Sequence, residues 1–248
     1  RPIPVSLPRT PRDRTYSLAV NVNTGSALDA VRTYVNTTAD IDNPLTEART
    51  AADEYGLLSP DAMTGEFLTF LAARAASAAA LAGEQPTAVV MSPAAGVTGL
   101  YLFAGFGDAE GKNAGHVTCI DPEATHQHLA RRSFTTAGIR NGAFRFLPSS
   151  PLEGVTRLAA DSYDIIVSDS AVELVRATVD AALPVLRPGG VLVLLDSLLD
   201  GAAADPSRTD RDTTAVRETQ EFLRDLENVT VARLPLGGGA TLVTKSVS

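Results

Sequence analysis

The feature that most constrains the fold is a regular alternation of short apolar runs and longer amphipathic stretches over residues 87–195. It predicts strands at 87–91, 116–120, 143–147, 163–168 and 191–195, with helices near 97–107, 123–137 and 171–186. Strands that are linked through helices form right-handed crossovers and hence a parallel sheet. Ligands of such sheets bind at the carboxyl ends of the strands. We therefore predict an α/β fold with its functional site at that edge.

The last third of the chain departs from this alternation. A helix near 213–227 precedes two predicted strands, 229–234 and 240–245, and only residues 235–239 separate those strands. A parallel return needs a dozen residues or more, so the two strands must pair antiparallel. The predicted fold is a doubly wound, seven-stranded, mostly parallel sheet that ends in an antiparallel C-terminal hairpin.

The first third is predicted to be a helical extension. Residues 1–15 contain four prolines and four arginines, which is typical of an irregular arm, and helices are predicted at 26–38 and 44–56. The run Ser59-Pro60-Asp61 offers helix-starting residues, so a long helix is expected over 60–82. We assign residues 1–56 to an N-terminal arm with helices and residues 57–248 to the main domain.

Composition excludes several classes of protein. The formal net charge of -8 argues against a general nucleic-acid binder, which needs a basic surface. No apolar run approaches the roughly 18 residues of a membrane span, and the first 18 residues lack the apolar block of a secretory signal. The single cysteine, Cys119, rules out an internal disulfide and is expected to be a small buried hydrophobe on a strand. We expect a cytoplasmic protein with a small-molecule ligand.

The first candidate site is the run 90–100, between the first strand of the alternation and its helix. Small residues there allow a ligand to approach the backbone at the helix N-terminus. The candidates are Ser92, Pro93, Gly96 and Thr98. A simple strand-to-helix turn is the alternative. The run contains no G-x-G-x-x-G, which, together with the terminal hairpin, argues against a nicotinamide dehydrogenase.

Asp121 ends the next apolar strand, and Pro122 follows it. A carboxylate at this place can accept hydrogen bonds from the ribose hydroxyls of a nucleoside cofactor. The alternative is that Asp121 caps the following helix. His126 and His128 lie two apart on that helix and so face different directions, which predicts surface residues rather than joint metal ligands.

Asp169 and Asp196 each terminate a strongly apolar strand. If the strands are parallel neighbours, both carboxylates project into one crevice, where they suit a hard cation such as Mg²⁺ or Ca²⁺. The alternative is that they cap the next helices. In the loop after the 143–147 strand, Ser150 could hydrogen-bond an adenine amino group.

Several segments resemble, in order, those of the class I SAM-dependent O-methyltransferases related to catechol and caffeoyl-CoA O-methyltransferases. Gly96-Val97-Thr98-Gly99-Leu100 resembles the end of E-(I/V)-G-T-x-x-G-x-S-G-L, and Ile120-Asp121 resembles the I-D segment. The runs 163–169, 200–206, 214–218 and 234–239 resemble Y-D-x-x-F-x-D, W-x-G-x-V-x-D-P, T-x-A-x-R-x-F-N and L-P-x-G-D-G. The matches span about residues 57–246.

The resemblance implies a transferase that moves a methyl group from S-adenosyl-L-methionine (SAM) to a hydroxyl of a small molecule. It implies Asp169 as the catalytic residue and a homodimeric assembly. The implied cofactor-binding residues are Leu58, Ser92, Pro93, Gly96, Thr98, Asp121, Pro122, Ser150 and Asp169. The implied metal ligands are Asp169, Asp196 and Ser197.

Several working residues of that family are replaced. Val172 stands where the family has the Lys that deprotonates the acceptor, Ser197 stands where it has an Asn ligand, and Gly238 replaces an Asp. Val90 and Ser92 replace a Glu and a Gly of the first motif. These replacements leave open an alternative function, a catalytically impaired homologue that acts as a SAM- or nucleoside-binding protein, and they predict at most weak metal binding.

Overall fold

A computed structural model describes residues 24–109, 112–113 and 115–246, so the predicted arm at 1–15 lies outside the described residues. The strands of the main sheet are β1 (Thr87–Met91), β2 (His116–Ile120), β3 (Phe144–Leu147), β4 (Tyr163–Ser168), β5 (Leu186–Leu194), β6 (Val229–Leu234) and β7 (Ala240–Lys245). These seven strands lie in the order β3-β2-β1-β4-β5-β7-β6. Strand β7 is antiparallel to both β5 and β6, and the other pairs are parallel. The predicted doubly wound sheet with its C-terminal hairpin is confirmed.

Helices cover both faces of this sheet. They are α1 (Thr24–Thr38), α2 (Asn43–Glu54), α3 (Ala62–Ala82), α4 (Ala95–Phe106), α5 (Ala124–Thr136), α6 (Pro151–Val155), α7 (Val175–Ala182) and α8 (Arg211–Asp225). Short 3₁₀ turns occur at 141–143, 172–174 and 199–204, and a two-residue ladder joins Asp108–Ala109 to Lys112–Asn113. No helix in the described residues combines the length and hydropathy that a bilayer crossing requires.

Several element boundaries differ from the prediction, and one short helix is additional. Helix α3 begins at Ala62 rather than 60, because the carboxylate of Asp61 accepts the Thr64 N–H at 2.8 Å and makes Asp61 the N-cap. Strand β5 starts at Leu186, since its first residues pair with Tyr163 of β4 before the apolar run at 191 begins. The five-residue helix α6 was not predicted, because it is too short to show a helical period.

The core consists of the central strands and the helices packed on them. The side chains of β1 from Ala88 to Met91 are at most 1% exposed, as expected for parallel strands covered on both faces. Cys119 of β2 is 1% exposed, which agrees with the predicted buried hydrophobe, and burial raises the pKa of its thiol. Leu45, Ala48 and Ala52 of α2 belong to the same buried cluster as α4 and α5. Helix α2 therefore packs on the main domain, and the boundary at 56/57 stays a prediction.

Candidate functional site

Three polar residues lie side by side where β2, β1 and β4 end. Val90 of β1 pairs with Cys119 of β2, and Met91 pairs with Ser168 of β4. When the ladders are continued, Asp121 and Asp169 fall on either side of Ser92. Side chains at the same register of neighbouring strands point to the same face of a sheet. Asp121 and Asp169 therefore lie on either side of Ser92 at the carboxyl edge, where the functional site is predicted.

Asp169 also interacts with Ser92 and with Asp196. The Ser92 hydroxyl donates to its carboxylate at 3.4 Å. Burial raises the pKa of Asp169, and the negative charge of Asp196 raises it further. Neither acid caps a following helix: the 3₁₀ turn after Asp169 begins at Val172 with Ala171 as its N-cap, and Asp196 accepts the Gly238 N–H at 2.6 Å. The structure therefore gives no support to the capping alternative for this pair.

A pocket of about 140 Å³ lies beside these two acids. Its wall combines the start of α3, the ends of β4 and β5 and the loop between β6 and β7, and its residues are Leu58, Ser59, Pro60, Asp61, Thr64, Asp169, Leu195, Asp196, Leu236 and Gly237. We call it the acid pocket. Thr64 is 3% exposed, and it lines the acid pocket beside the Asp61 carboxylate that accepts its N–H.

Two larger clefts, of about 590 and 520 Å³, contain none of the predicted site residues. One is lined by parts of α3 and α4 with Gly138 and Ile139, and the other includes Asp164 and Arg187 near the amino ends of β4 and β5. By volume alone, these two clefts would be preferred as the ligand-binding site. We assign the site to the smaller acid pocket because it lies at the carboxyl edge, where ligands of doubly wound sheets bind.

The predicted three-ligand metal site does not fit this geometry. Ser197 is 3% exposed, and its hydroxyl is paired with the Thr241 hydroxyl at 2.8 Å and donates to the Leu194 carbonyl at 3.1 Å. It therefore offers no free oxygen to an ion between Asp169 and Asp196. In the part of the chain that the structure describes, no three His, Cys, Asp or Glu side chains form a group that could hold a metal ion.

Asp121 is buried, and its carboxylate is hydrogen-bonded within its own loop. Its Oδ1 accepts the Glu123 N–H at 2.6 Å, so it orders the approach to α5, although the N-cap itself is Glu123. His126 was predicted to be a surface residue, and this was wrong. Its Nδ1 lies 3.2 Å from Oδ1 and 3.1 Å from Oδ2 of Asp121, because the first turn of α5 folds back over the end of β2. His128 is exposed, as predicted.

The remaining predicted residues are spread around the same edge. Gly96 is not at the floor of the acid pocket: it lies in the first turn of α4, where an added Cβ would be 3.1 Å from Ala130 Cα of α5, so it serves helix packing. Thr98 is fully buried, and its hydroxyl lacks a partner within the described residues. Leu58 is 80% exposed, Pro122 and Ser150 are exposed, and Pro93 is half-buried.

Three contributors to the site were missed: Asp61, Thr64 and His126. Asp61 and Thr64 follow the Ser59-Pro60 pair, which predicted the start of a helix. The signal available in the sequence was therefore a helix N-cap at this position. For His126, the signal was its place in the first turn of a helix that begins three residues after an acid. Neither signal shows which residues are in contact, because the contact also depends on the angle between the helix and the neighbouring strand.

Comparisons with known proteins relate this chain to methyltransferases. A family model described as "Methyltransferase domain" matches residues 94–197. A Mycobacterium marinum protein, provisionally named as an O-methyltransferase, is 35% identical over 198 residues, which cover 80% of this chain and 83% of that protein. A crystal structure of a Corynebacterium glutamicum protein shares 45% identity with a TM-score of 0.81, covering 90% of this chain and 98% of that one.

A further solved structure shares the fold at lower identity. It is an O-methyltransferase from Streptomyces achromogenes in complex with SAM, with 21% identity and a TM-score of 0.70 over 89% of this chain and 96% of that one. None of these comparisons supports the binding-protein alternative. The identity and coverage shared with the Mycobacterium marinum protein show that the chain belongs to the O-methyltransferase family.

Proposed function

We propose that this protein transfers a methyl group from SAM to a hydroxyl of a small molecule. The observation that carries the proposal is the row of Asp121, Ser92 and Asp169 at the carboxyl edge, next to the acid pocket. A cofactor held along that row would present its reactive end to the pocket. The SAM complex of the Streptomyces achromogenes protein, which has the same fold, supports the choice of cofactor.

The residues present fit such a cofactor. Asp121 provides carboxylate oxygens for ribose hydroxyls, and Thr98 provides a buried hydroxyl that lacks a partner among the described residues. Ser92 and Asp169 offer polar groups near the amino-acid end, and Ser150, on the loop after β3, remains a candidate for the adenine. When bound, SAM supplies a methyl group activated by its sulfonium.

At the acceptor end, the acid pocket is smaller than the roughly 300–1,000 Å³ of a typical complete small-molecule site, so it suits only the reacting part of a substrate. We assign Asp169 the role of orienting the acceptor hydroxyl and taking its proton. The raised pKa supports this role, because it makes the carboxylate a better base than an exposed Asp. The protein's contribution is then alignment of the hydroxyl and removal of its proton.

The assembly and location remain proposals. The family resemblance supports a cytoplasmic homodimer, and the net charge of -8 supports a small-molecule substrate rather than nucleic acid. Sedimentation equilibrium of the full chain would measure the mass of the assembly. A mass of one chain at micromolar concentration would exclude the dimer.

Calorimetric titration with S-adenosylhomocysteine (SAH) tests the function. We expect saturable binding by the full chain, and Asp121→Ala should weaken it about 10- to 100-fold, since each charge-assisted hydrogen bond contributes about 1.5–3 kcal/mol. Transfer of a labelled methyl group from SAM to a panel of phenols and catechols would then identify the acceptor class. Absence of SAH binding at millimolar concentration would exclude the proposed function.

A further inference from the structure

His126 makes a hydrogen-bonding contact with Asp121 that the rest of the site does not require. It is the third residue of α5, and its side chain is 21% exposed. Its ring Nδ1–H donates to both oxygens of the Asp121 carboxylate, at 3.2 and 3.1 Å. A histidine held between two oxygens of a buried acid restricts the rotation of that acid's carboxylate.

The hydrogen bonds to Asp121 can be counted. A carboxylate has about four acceptor positions, two on each oxygen. Oδ1 already accepts the Glu123 N–H at 2.6 Å and the His126 contact, whereas Oδ2 accepts His126 alone. The Gln127 side chain fixes the same turn by donating to the Asp121 carbonyl at 2.7 Å. Oδ2 is therefore the oxygen with acceptor capacity left for a ligand.

We propose that His126 is a positioning residue for the cofactor ribose: its ring N–H fixes the Asp121 carboxylate so that Oδ2 receives a ribose hydroxyl. This inference rests on the proposed function. Its physical basis is preorganisation, since a side chain that is already ordered does not lose its rotational freedom when the ligand binds.

The chain offers a matched control in His128. It lies two residues further along α5, is exposed, and forms no hydrogen bond or ion pair with any residue that the structure describes. Replacing either histidine by alanine removes the same atoms from the same helix, but only the replacement of His126 removes the hydrogen bonds to the Asp121 carboxylate.

The test is calorimetric titration of SAH into the protein and three variants. His126→Ala should weaken binding about 3- to 10-fold, the cost of immobilising one side chain. In His126→Asn, the amide nitrogen takes the place of Nδ1, so the affinity should return to within about twofold of the unchanged protein. His128→Ala should bind SAH like the unchanged protein.

A double variant separates positioning from a general structural effect. In the Asp121→Ala background, His126→Ala should cause no further loss of SAH affinity, because the side chain that His126 orients is gone. A further loss of equal size, or an equal loss from His128→Ala, would overturn the inference. So would unchanged or tighter SAH binding by His126→Ala. If the unchanged protein does not bind SAH at all, the proposed function itself fails, and this result is distinct from the others.

Discussion

Thr98 and Thr118 are fully buried threonines with opposite hydrogen-bonding states. Among the described residues the Thr98 hydroxyl has no partner, whereas the Thr118 hydroxyl accepts from Arg145 Nε at 3.0 Å. An unpaired buried hydroxyl costs about 1–3 kcal/mol, and a paired one contributes about 0.5–1.5 kcal/mol. A hydroxyl left unpaired in the free protein is therefore a candidate ligand contact.

Thr98→Val should raise the free energy of unfolding of the ligand-free protein by about 1 kcal/mol and should weaken SAH binding. Thr118→Val should lower that free energy by about the same amount and leave SAH binding unchanged. Urea unfolding and calorimetry measure the two quantities. Loss of stability in Thr98→Val would mean that its hydroxyl has a partner in the free protein.

Asp169 should make stability depend on pH. Burial and the charge of Asp196 raise its pKa above 3.8 in the folded state, so the folded state holds this proton more tightly than the unfolded state does. The resulting stabilisation is complete below about pH 3.8 and is lost as the pH rises through the raised pKa. At neutral pH, the ionised carboxylate lowers stability.

Asp169→Asn should therefore raise the melting temperature at pH 7 by a few degrees, as expected for a change of about 1 kcal/mol in a domain of this size, and should abolish methyl transfer. The difference should shrink as the pH falls from neutral through the raised pKa of Asp169 towards 3.8. Asp180→Asn, at an exposed acid on α7, is the control and should show no such trend. Melting curves from pH 4 to 8 would contradict the assignment if the two variants behaved alike.

Among the secondary-structure elements, α3 and α4 approach each other at glycines. A Cβ on Gly65 of α3 would lie 2.0 Å from the ring of Tyr101 on α4, and a Cβ on Gly105 of α4 would lie 2.1 Å from the Thr69 carbonyl. Both distances are far below van der Waals contact. The start of α3, which carries Asp61 and Thr64 to the acid pocket, is thus held by backbone packing.

Gly65→Ala should lower the free energy of unfolding by about 1–3 kcal/mol, the usual cost of overpacking, and should weaken binding in the acid pocket. Gly142 is a suitable control, because an added Cβ would meet nothing within 4 Å and its φ is not positive. Gly142→Ala should change stability by less than about 0.5 kcal/mol. Equal stability of the two variants would show that α3 and α4 are not so closely packed.

For the molecule as a whole, the question is whether α2 unfolds with the sheet. Leu45 of α2 is 7% exposed and belongs to the buried cluster that includes Val90 and Phe134. Leu45→Ala should cost about 2–5 kcal/mol and lower the midpoint of a single transition. Tyr55→Ala, at a side chain that is 56% exposed, is the control. Two separate transitions in Leu45→Ala would instead support residues 1–56 as an independent unit.

The amino-acid sequence by itself determined the strands of the main sheet, the longer helices and their order. Apolar runs such as Val191–Leu195 and the five-residue connection at 235–239 allow few alternatives, because periodicity and loop length act locally. The same local signals placed Asp121, Asp169 and Asp196 at strand ends. They also predicted that Cys119 is buried.

Only the tertiary structure decided which side chains meet. The sequence could not show that His126 contacts Asp121, that the Ser197 hydroxyl pairs with Thr241, or that Thr64 lines the acid pocket. Each of these contacts depends on how a helix or a neighbouring strand is oriented at the sheet edge. Those orientations come from packing between segments far apart in the chain, and a local pattern carries no record of them.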